Sequence, residues 1–137
     1  GFLISSLDMM VKDSLGDSNK EAHIKSQQLI GTEFQDHIFT LACSNMYIHG
    51  DGRSHIFKGS CFDNKIIEQV KALKPNVGFL NPPYKSSKND IEELKFVLNN
   101  IECLEKGSLC IAIIPMSCAI ADSKNKDVYD LKKELLK

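Results

Sequence analysis

Asn81, Pro82, Pro83 and Tyr84 are the residues of this sequence best suited to chemistry. A proline holds φ at about −65° and has no N–H, and Pro83 also pushes Pro82 towards an extended conformation. The result is a stiff loop whose backbone carbonyls are left to accept hydrogen bonds. Asn81 adds a side-chain amide oxygen and Tyr84 a flat apolar face beside it. Together they suit a planar group bearing an NH2. An aromatic amine is a poor nucleophile because its lone pair is delocalised into the ring. Two acceptors, the Asn81 side-chain oxygen and the Pro82 carbonyl, can hold both amine hydrogens and aim the lone pair at an electrophilic methyl group, which is catalysis by orientation and electrostatics. A base in a duplex must leave the stack to reach such a pocket, and Tyr84 is the ring on which it would rest. Taken as four letters, Asn-Pro-Pro-Tyr is equally a proline-rich turn with an aromatic lid. Its place directly after an apolar strand shifts the balance towards function.

That place follows from the hydrophobic pattern. Residues 77–80 form a compact apolar strand that the prolines cannot continue. Asp90 with Glu93 resembles a capping box, and Ile91, Leu94, Val97, Leu98, Ile101 and Leu104 make a helical stripe ended by Gly107. Residues 109–114 are a continuous apolar run stopped by Pro115, which predicts a strand buried on both faces. A polar loop and a helix from about Lys126 follow. Towards the beginning, Phe2, Leu3, Ile4, Leu7, Met10, Val11 and Leu15 predict an amphipathic helix closed by Gly16, and residues 16–26 read as a polar connection. A strand is expected over 28–33. Phe34, Ile38, Leu41, Ala42 and Met46 then line a helix ending near Gly50, with Leu41 and Met46 assigned to the core. A turn at 50–52, a strand at 55–57 and a helix over 64–73 complete the pattern. Strands alternating with helices imply parallel βαβ units, so the predicted class is α/β, doubly wound, with ligands bound beyond the carboxyl ends of the strands.

The composition is that of an ordinary globular domain, with 42% hydrophobic and 26% charged residues in 137, enough for one core. The 17 basic and 18 acidic residues nearly cancel. This stretch therefore carries no excess charge with which to grip phosphates. Lys71, Lys74, Lys85 and Lys88 read as a solvated surface rather than a DNA-facing patch. Cys43, Cys61, Cys103, Cys110 and Cys118 lack metal-ligand spacing and are expected as reduced, mostly buried thiols. His23, His37, His49 and His55 show neither metal nor triad spacing and read as surface or satisfied core residues. No metal and no membrane segment is expected, and a cytoplasmic location follows.

With these motifs in place, the chain resembles the amino-adenine DNA methyltransferases, and most closely the modification subunits of type I restriction systems. The likeness runs through nearly all 137 residues. Gly1, Phe2 and Leu3 are similar to the tail of the family's glycine-rich motif around the methionine part of the cofactor. Glu33, with Phe34, matches an acidic residue at the end of the second strand that accepts the ribose hydroxyls. Alone, such an acid would read as a helix-start residue favoured by the macrodipole. Ser60 and Cys61 align with a third motif in which the family commonly has Asp at the position of Ser60, a departure from the pattern, while Asp63 reads as a helix cap. Residues 109–117 resemble the strand that supports the catalytic loop, and 41–50 a stretch typical of the type I subunits.

The resemblance implies a Rossmann-like, class I S-adenosylmethionine-dependent fold with a mostly parallel sheet lacking its first strand. It implies methyl transfer from S-adenosylmethionine to the N6 amine of a flipped adenine in double-stranded DNA, in a bacterial or archaeal restriction–modification system with specificity and restriction subunits. Residues 1–137 are then the central part of the catalytic domain, truncated at both ends and inactive alone. A protein-glutamine or RNA N-methyltransferase using the same loop is an alternative. A non-catalytic segment contacting a specificity subunit is a third reading, against which the intact loop argues.

Overall fold

A computed structural model of the chain describes residues 1–50, 55–87, 89–120 and 125–137, which fall into two compact units, Gly1–Val70 and Lys71–Lys137. In the first unit, helix α1 (Phe2–Asp13) turns Leu7 fully inward, only 1% exposed. Leu7, Ile24, Leu29 and Met46 form the core, and Leu3, Ile4, Met10, Val11 and Ile56 pack against it. Leu15 does not join this stripe. It adopts a left-handed φ of 53° just past the helix and is 92% exposed. The expected polar connection contains a second helix, α2 (Ser18–Gln27). Its apolar signal is weak, and it is specified by its cap: the Asp17 carboxylate accepts the N–H groups of Asn19 and Lys20 at 3.0 and 3.1 Å.

Strand β1 (Ile30–Glu33) follows, and then helix α3 (Asp36–Ile48). Met46 is the buried residue of α3, with Phe39, Ala42 and Cys43 half-buried. Ile38 and Leu41 are exposed, so the predicted stripe is displaced around the helix and Leu41 is not a core residue. Strand β2 (His55–Lys58) pairs in parallel with β1, Ile30 opposite His55 through Glu33 opposite Lys58. The turn predicted at 50–52 lies, from residue 51 onward, outside the described residues. Helix α4 (Asn64–Ala72) is capped by Asp63, which accepts the Lys65 N–H at 2.8 Å.

In the second unit, β3 (Val77–Leu80) pairs in parallel with β4 (Leu109–Ala112), Val77 opposite Leu109 and Leu80 opposite Ala112. Helices α5 (Glu93–Cys103), α6 (Met116–Ile120) and α7 (Lys126–Leu135) supply a core of Leu94, Val97, Cys118 and Val128, against which Leu80, Cys110, Ala112, Ile114, Leu131 and Leu135 pack. Val77, Phe79, Leu109, Ile111 and Ile113 remain exposed. Strand β4 is therefore not buried on both faces among the described residues. Side chains alternate along a strand, and this core meets only one of the two sets. The capping box at Asp90 and Glu93 does not form either. Glu92 occupies the N-cap position of α5 without a side-chain capping hydrogen bond, and both predicted box residues bind the preceding loop instead. Helix α6 takes up part of the expected polar loop, whose residues 121–124 lie outside the described residues.

Candidate active site

The second unit holds Asn81, Pro82, Pro83 and Tyr84. Strand β3 delivers them: the Ile113 N–H donates to the Leu80 carbonyl at 3.0 Å, one residue before Asn81. Pro82 is buried, whereas Asn81 and Pro83 are exposed and the Tyr84 ring is 55% exposed. The Asn81 side-chain amide makes no hydrogen bond among the described residues. Its oxygen is thus available to an outside donor, beside an exposed ring on a loop rooted by one buried proline.

The loop's exit is tied down by three acids. The Lys85 N–H donates to Glu93 Oε1 at 2.7 Å. The Lys85 ammonium pairs with Glu92, and this hydrogen bond raises its pKa above the ordinary lysine value. Asp90 Oδ2 accepts the N–H groups of Ser86 and Ser87 at 2.8 and 2.7 Å and the Ser86 hydroxyl at 3.1 Å. The backbone N–H of Ser86, then that of Ser87, with smaller contributions from the serine hydroxyls, hold the Asp90 carboxyl at about 2. These anchors were missed in the sequence because 90–93 also fits a helix start. The signal was there, as three acids within ten residues of Tyr84. Lys85 is thus an internal tie, and Lys71 pairs with Glu102 at 2.6 Å. Lys88 lies outside the described residues.

The first unit holds Gly1, Phe2, Glu33, Phe34, Ser60 and Cys61. Glu33 ends β1 opposite Lys58, and its Oε1 accepts the Gln35 N–H at 2.8 Å. Its second oxygen has no partner among the described residues. Beyond the carboxyl ends of β1 and β2 lies an open depression of about 550 Å³, lined by Phe34, Gln35, Asp36, His37, Lys58 and Gly59. Phe34 is 72% exposed. Lys58 forms an ion pair with Asp36. Sequence reasoning did not single out Asp36 or Lys58, and it read His37 as surface or core.

Ser60 serves the turn into α4: its hydroxyl accepts the Phe62 N–H at 3.2 Å and its carbonyl the Asp63 N–H at 3.0 Å. Cys61 is half-buried beside it. Gly1 is exposed and accepts the Ser5 N–H at 3.2 Å as α1 begins, with Phe2 partly exposed after it. None of these four lines the depression. The structure thus brings Glu33 and Phe34 to the strand ends, with Ser60 and Cys61 directly after Gly59 in the turn into α4 and Gly1 and Phe2 at the start of α1.

Of the five thiols only Cys118 is buried, and the others are half-buried, short of the expected burial. Among the described residues no helix is long and apolar enough to cross a membrane.

A model of the N-6 DNA methylase family matches residues 1–128. The chain is 35% identical over 142 residues to the type II restriction enzyme and methyltransferase RM.BcgI of Heyndrickxia coagulans, a match covering 99% of this chain and 21% of that protein. In structure it is similar to the M protein of the type I restriction enzyme EcoKI, with a TM-score of 0.74 and 20% identity over 93% of this chain and 30% of that one. The chain therefore spans only 21% of the curated relative's length. The structural likeness identifies the α/β architecture as an incomplete Rossmann-like methyltransferase fold. Given a family match that runs from Gly1 through the strand–loop pair at Leu80 and Asn81 to residue 128, the chain belongs to the N-6 DNA methylase family.

Proposed function

We propose that this chain is the central part of the catalytic domain of an enzyme that methylates the N6 amine of an adenine flipped out of double-stranded DNA, using S-adenosylmethionine, within a restriction–modification system. The observation that carries this reading is the loop after β3, where an exposed Asn81 amide without a partner among the described residues stands beside an exposed Tyr84 ring and a buried Pro82. The Asn81 oxygen and the Pro82 carbonyl accept the two amine hydrogens, which turns the nitrogen lone pair towards the methyl donor. Tyr84 stacks on the extruded base.

Residues of the first unit fit the cofactor. Glu33 keeps one carboxylate oxygen for the ribose hydroxyls, and the exposed Phe34 ring at the mouth of the depression suits a flat adenine. S-adenosylmethionine supplies an electrophilic methyl group when bound. Gly1 and Phe2 would border its methionine part, as the motif resemblance implies. Ser60 fits less well than an Asp would, because its hydroxyl is already engaged by Phe62. The chain's net charge of −1 and the pairing of Lys71 and Lys85 with acids leave most of the DNA grip to other parts of the protein, including specificity and restriction subunits.

The test is methyl transfer by the full-length protein, offered duplex DNA, RNA and a glutamine-containing peptide with labelled S-adenosylmethionine. N6-methyladenine in the duplex is expected, and Asn81→Ala should abolish it while cofactor binding persists. Label in RNA or in glutamine instead would replace this reading. Full activity in Asn81→Ala would reduce the loop to a structural turn.

A further inference from the structure

We propose that Glu93 is a positioning residue for the 81–84 loop, holding Tyr84 and Asn81 in place by accepting the Lys85 backbone N–H. The inference rests on the reading of that loop as the amine-binding element. It names a residue that neither the motif nor the fold assigns.

Glu93 is 5% exposed, and with Ser14 it is one of two buried polar side chains among the described residues. A buried carboxylate is tolerated only when its oxygens are engaged and its charge is favourably placed. Glu93 sits in the first turn of α5, where the helix dipole favours a negative charge. One oxygen accepts the Lys85 N–H at 2.7 Å, and the other lies 3.7 Å from the Cys118 thiol, which is part of the unit's core. The carboxylate therefore ties the loop's exit directly to that core.

The position of the bond gives it its consequence. Lys85 follows Tyr84, so fixing its N–H fixes the peptide plane that carries the Tyr84 Cα. At the entrance, the Ile113 N–H holds the Leu80 carbonyl at 3.0 Å. The loop is thus pinned one residue before Asn81 and one residue after Tyr84. The Asp90 tie and the Lys85–Glu92 pair lie farther out, with Asp90 itself exposed. The Glu93 bond is part-buried and its acceptor is the most buried of the three acids, at 5% exposed, and partial exclusion of water strengthens a hydrogen bond to a charged acceptor.

Two substitutions in the full-length enzyme separate reach from charge. Glu93→Asp keeps the charge but withdraws it by one methylene, so the Lys85 N–H loses its acceptor. Glu93→Gln gives up the charge but keeps an acceptor oxygen at the same reach. Glu93→Asp is expected to lower kcat/KM for DNA about 10- to 100-fold, the scale of a misplaced reacting group, with S-adenosylmethionine affinity unchanged and faster amide exchange in 81–87. Glu93→Gln should retain most of the activity and slow exchange. The opposite order, or equal losses that merely follow a falling Tm, would overturn the proposal, as would wild-type exchange in Glu93→Asp. Asn81→Ala run in parallel keeps the two readings apart. If it is inactive while Glu93→Asp behaves as wild type, only the positioning role fails; if it is active, the amine-binding reading fails.

Discussion

The side-chain oxygen of Asn100 on α5 sits over Gly78 in β3, so close that a methyl group there has no room. A Cβ at position 78 would come within 3.0 Å of Asn100 Cγ and 3.2 Å of Leu104 Cδ1, and closer still to the amide oxygen. The same oxygen accepts the Cys110 thiol from the neighbouring strand at 3.3 Å. One buried glycine thus lets the helix dock on the strand that leads into Asn81. Gly78→Ala is expected to destabilise the second unit by about 1–3 kcal/mol, the usual cost of overpacking. Adding Asn100→Ala should recover part of the loss in a double-mutant cycle. An unchanged denaturation midpoint for Gly78→Ala would contradict this packing.

Glu33→Ala should weaken S-adenosylmethionine binding while leaving the rate at saturating cofactor nearly unchanged. The proposed ribose contact would be made equally in the ground and transition states, so its loss would fall on affinity. Single-turnover kinetics alongside equilibrium titration separates the two quantities. A slow chemical step at wild-type affinity would remove Glu33 from the cofactor site.

At Tyr84, stacking needs a ring and not a hydroxyl. Tyr84→Ala should cost roughly 1–3 kcal/mol in capture of the flipped base, whereas Tyr84→Phe or Tyr84→Trp should keep much of the activity. Fluorescence of 2-aminopurine at the target position reports the flipping, and methyl incorporation reports the outcome. An alanine variant that flips and methylates like the wild type would exclude stacking.

Asp90 links the loop to pH. Its carboxyl is held at about 2, against an ordinary 3.8, by the N–H groups of Ser86 and Ser87. A depressed folded-state pKa means that the stabilisation is complete above about 3.8 and is lost as the pH falls towards 2. The carboxyl resonance of Asp90 should titrate below the ordinary aspartate value of 3.8, with the Ser86 and Ser87 amide signals moving in step. In Asp90→Asn that coupled movement should vanish. Titration of Asp90 near 3.8 would show that the turn does not persist in solution.

Cys118 is 4% exposed, and its thiol is pushed above the ordinary cysteine range first by burial and then by the nearby Glu93 carboxylate. The thiolate is the reactive form, and burial also raises Cys103 and Cys110, but Cys118 is the one buried thiol of the five and should therefore be the last to be alkylated at neutral pH. Peptide mapping after timed exposure to iodoacetamide checks this. Early labelling of Cys118 would show that the α5–α6 contact opens readily.

Much of the molecule was legible in the residue pattern alone. Periodicity located α1, α3, α4, α5, α7 and the strands β1 to β4 of the described residues, because apolar spacing and proline or glycine stops are local properties. The loop chemistry at Asn81 and Tyr84 was also readable, since it depends on side-chain type and on the two prolines. Elements held by caps were harder to see: α2 rests on Asp17 and one buried isoleucine. Other choices were not local at all. That Asp90 and Glu93 would grip Ser86, Ser87 and Lys85 rather than cap α5 was decided by where the loop returns to the helix. That Leu41 would be exposed while Met46 is buried, and that one side-chain set of β4 would be left uncovered, depended on which neighbours arrive from distant parts of the chain. A carboxylate's partner, like a strand's covered face, is selected by competition among groups that meet only after folding, and spacing along the sequence carries no record of that competition.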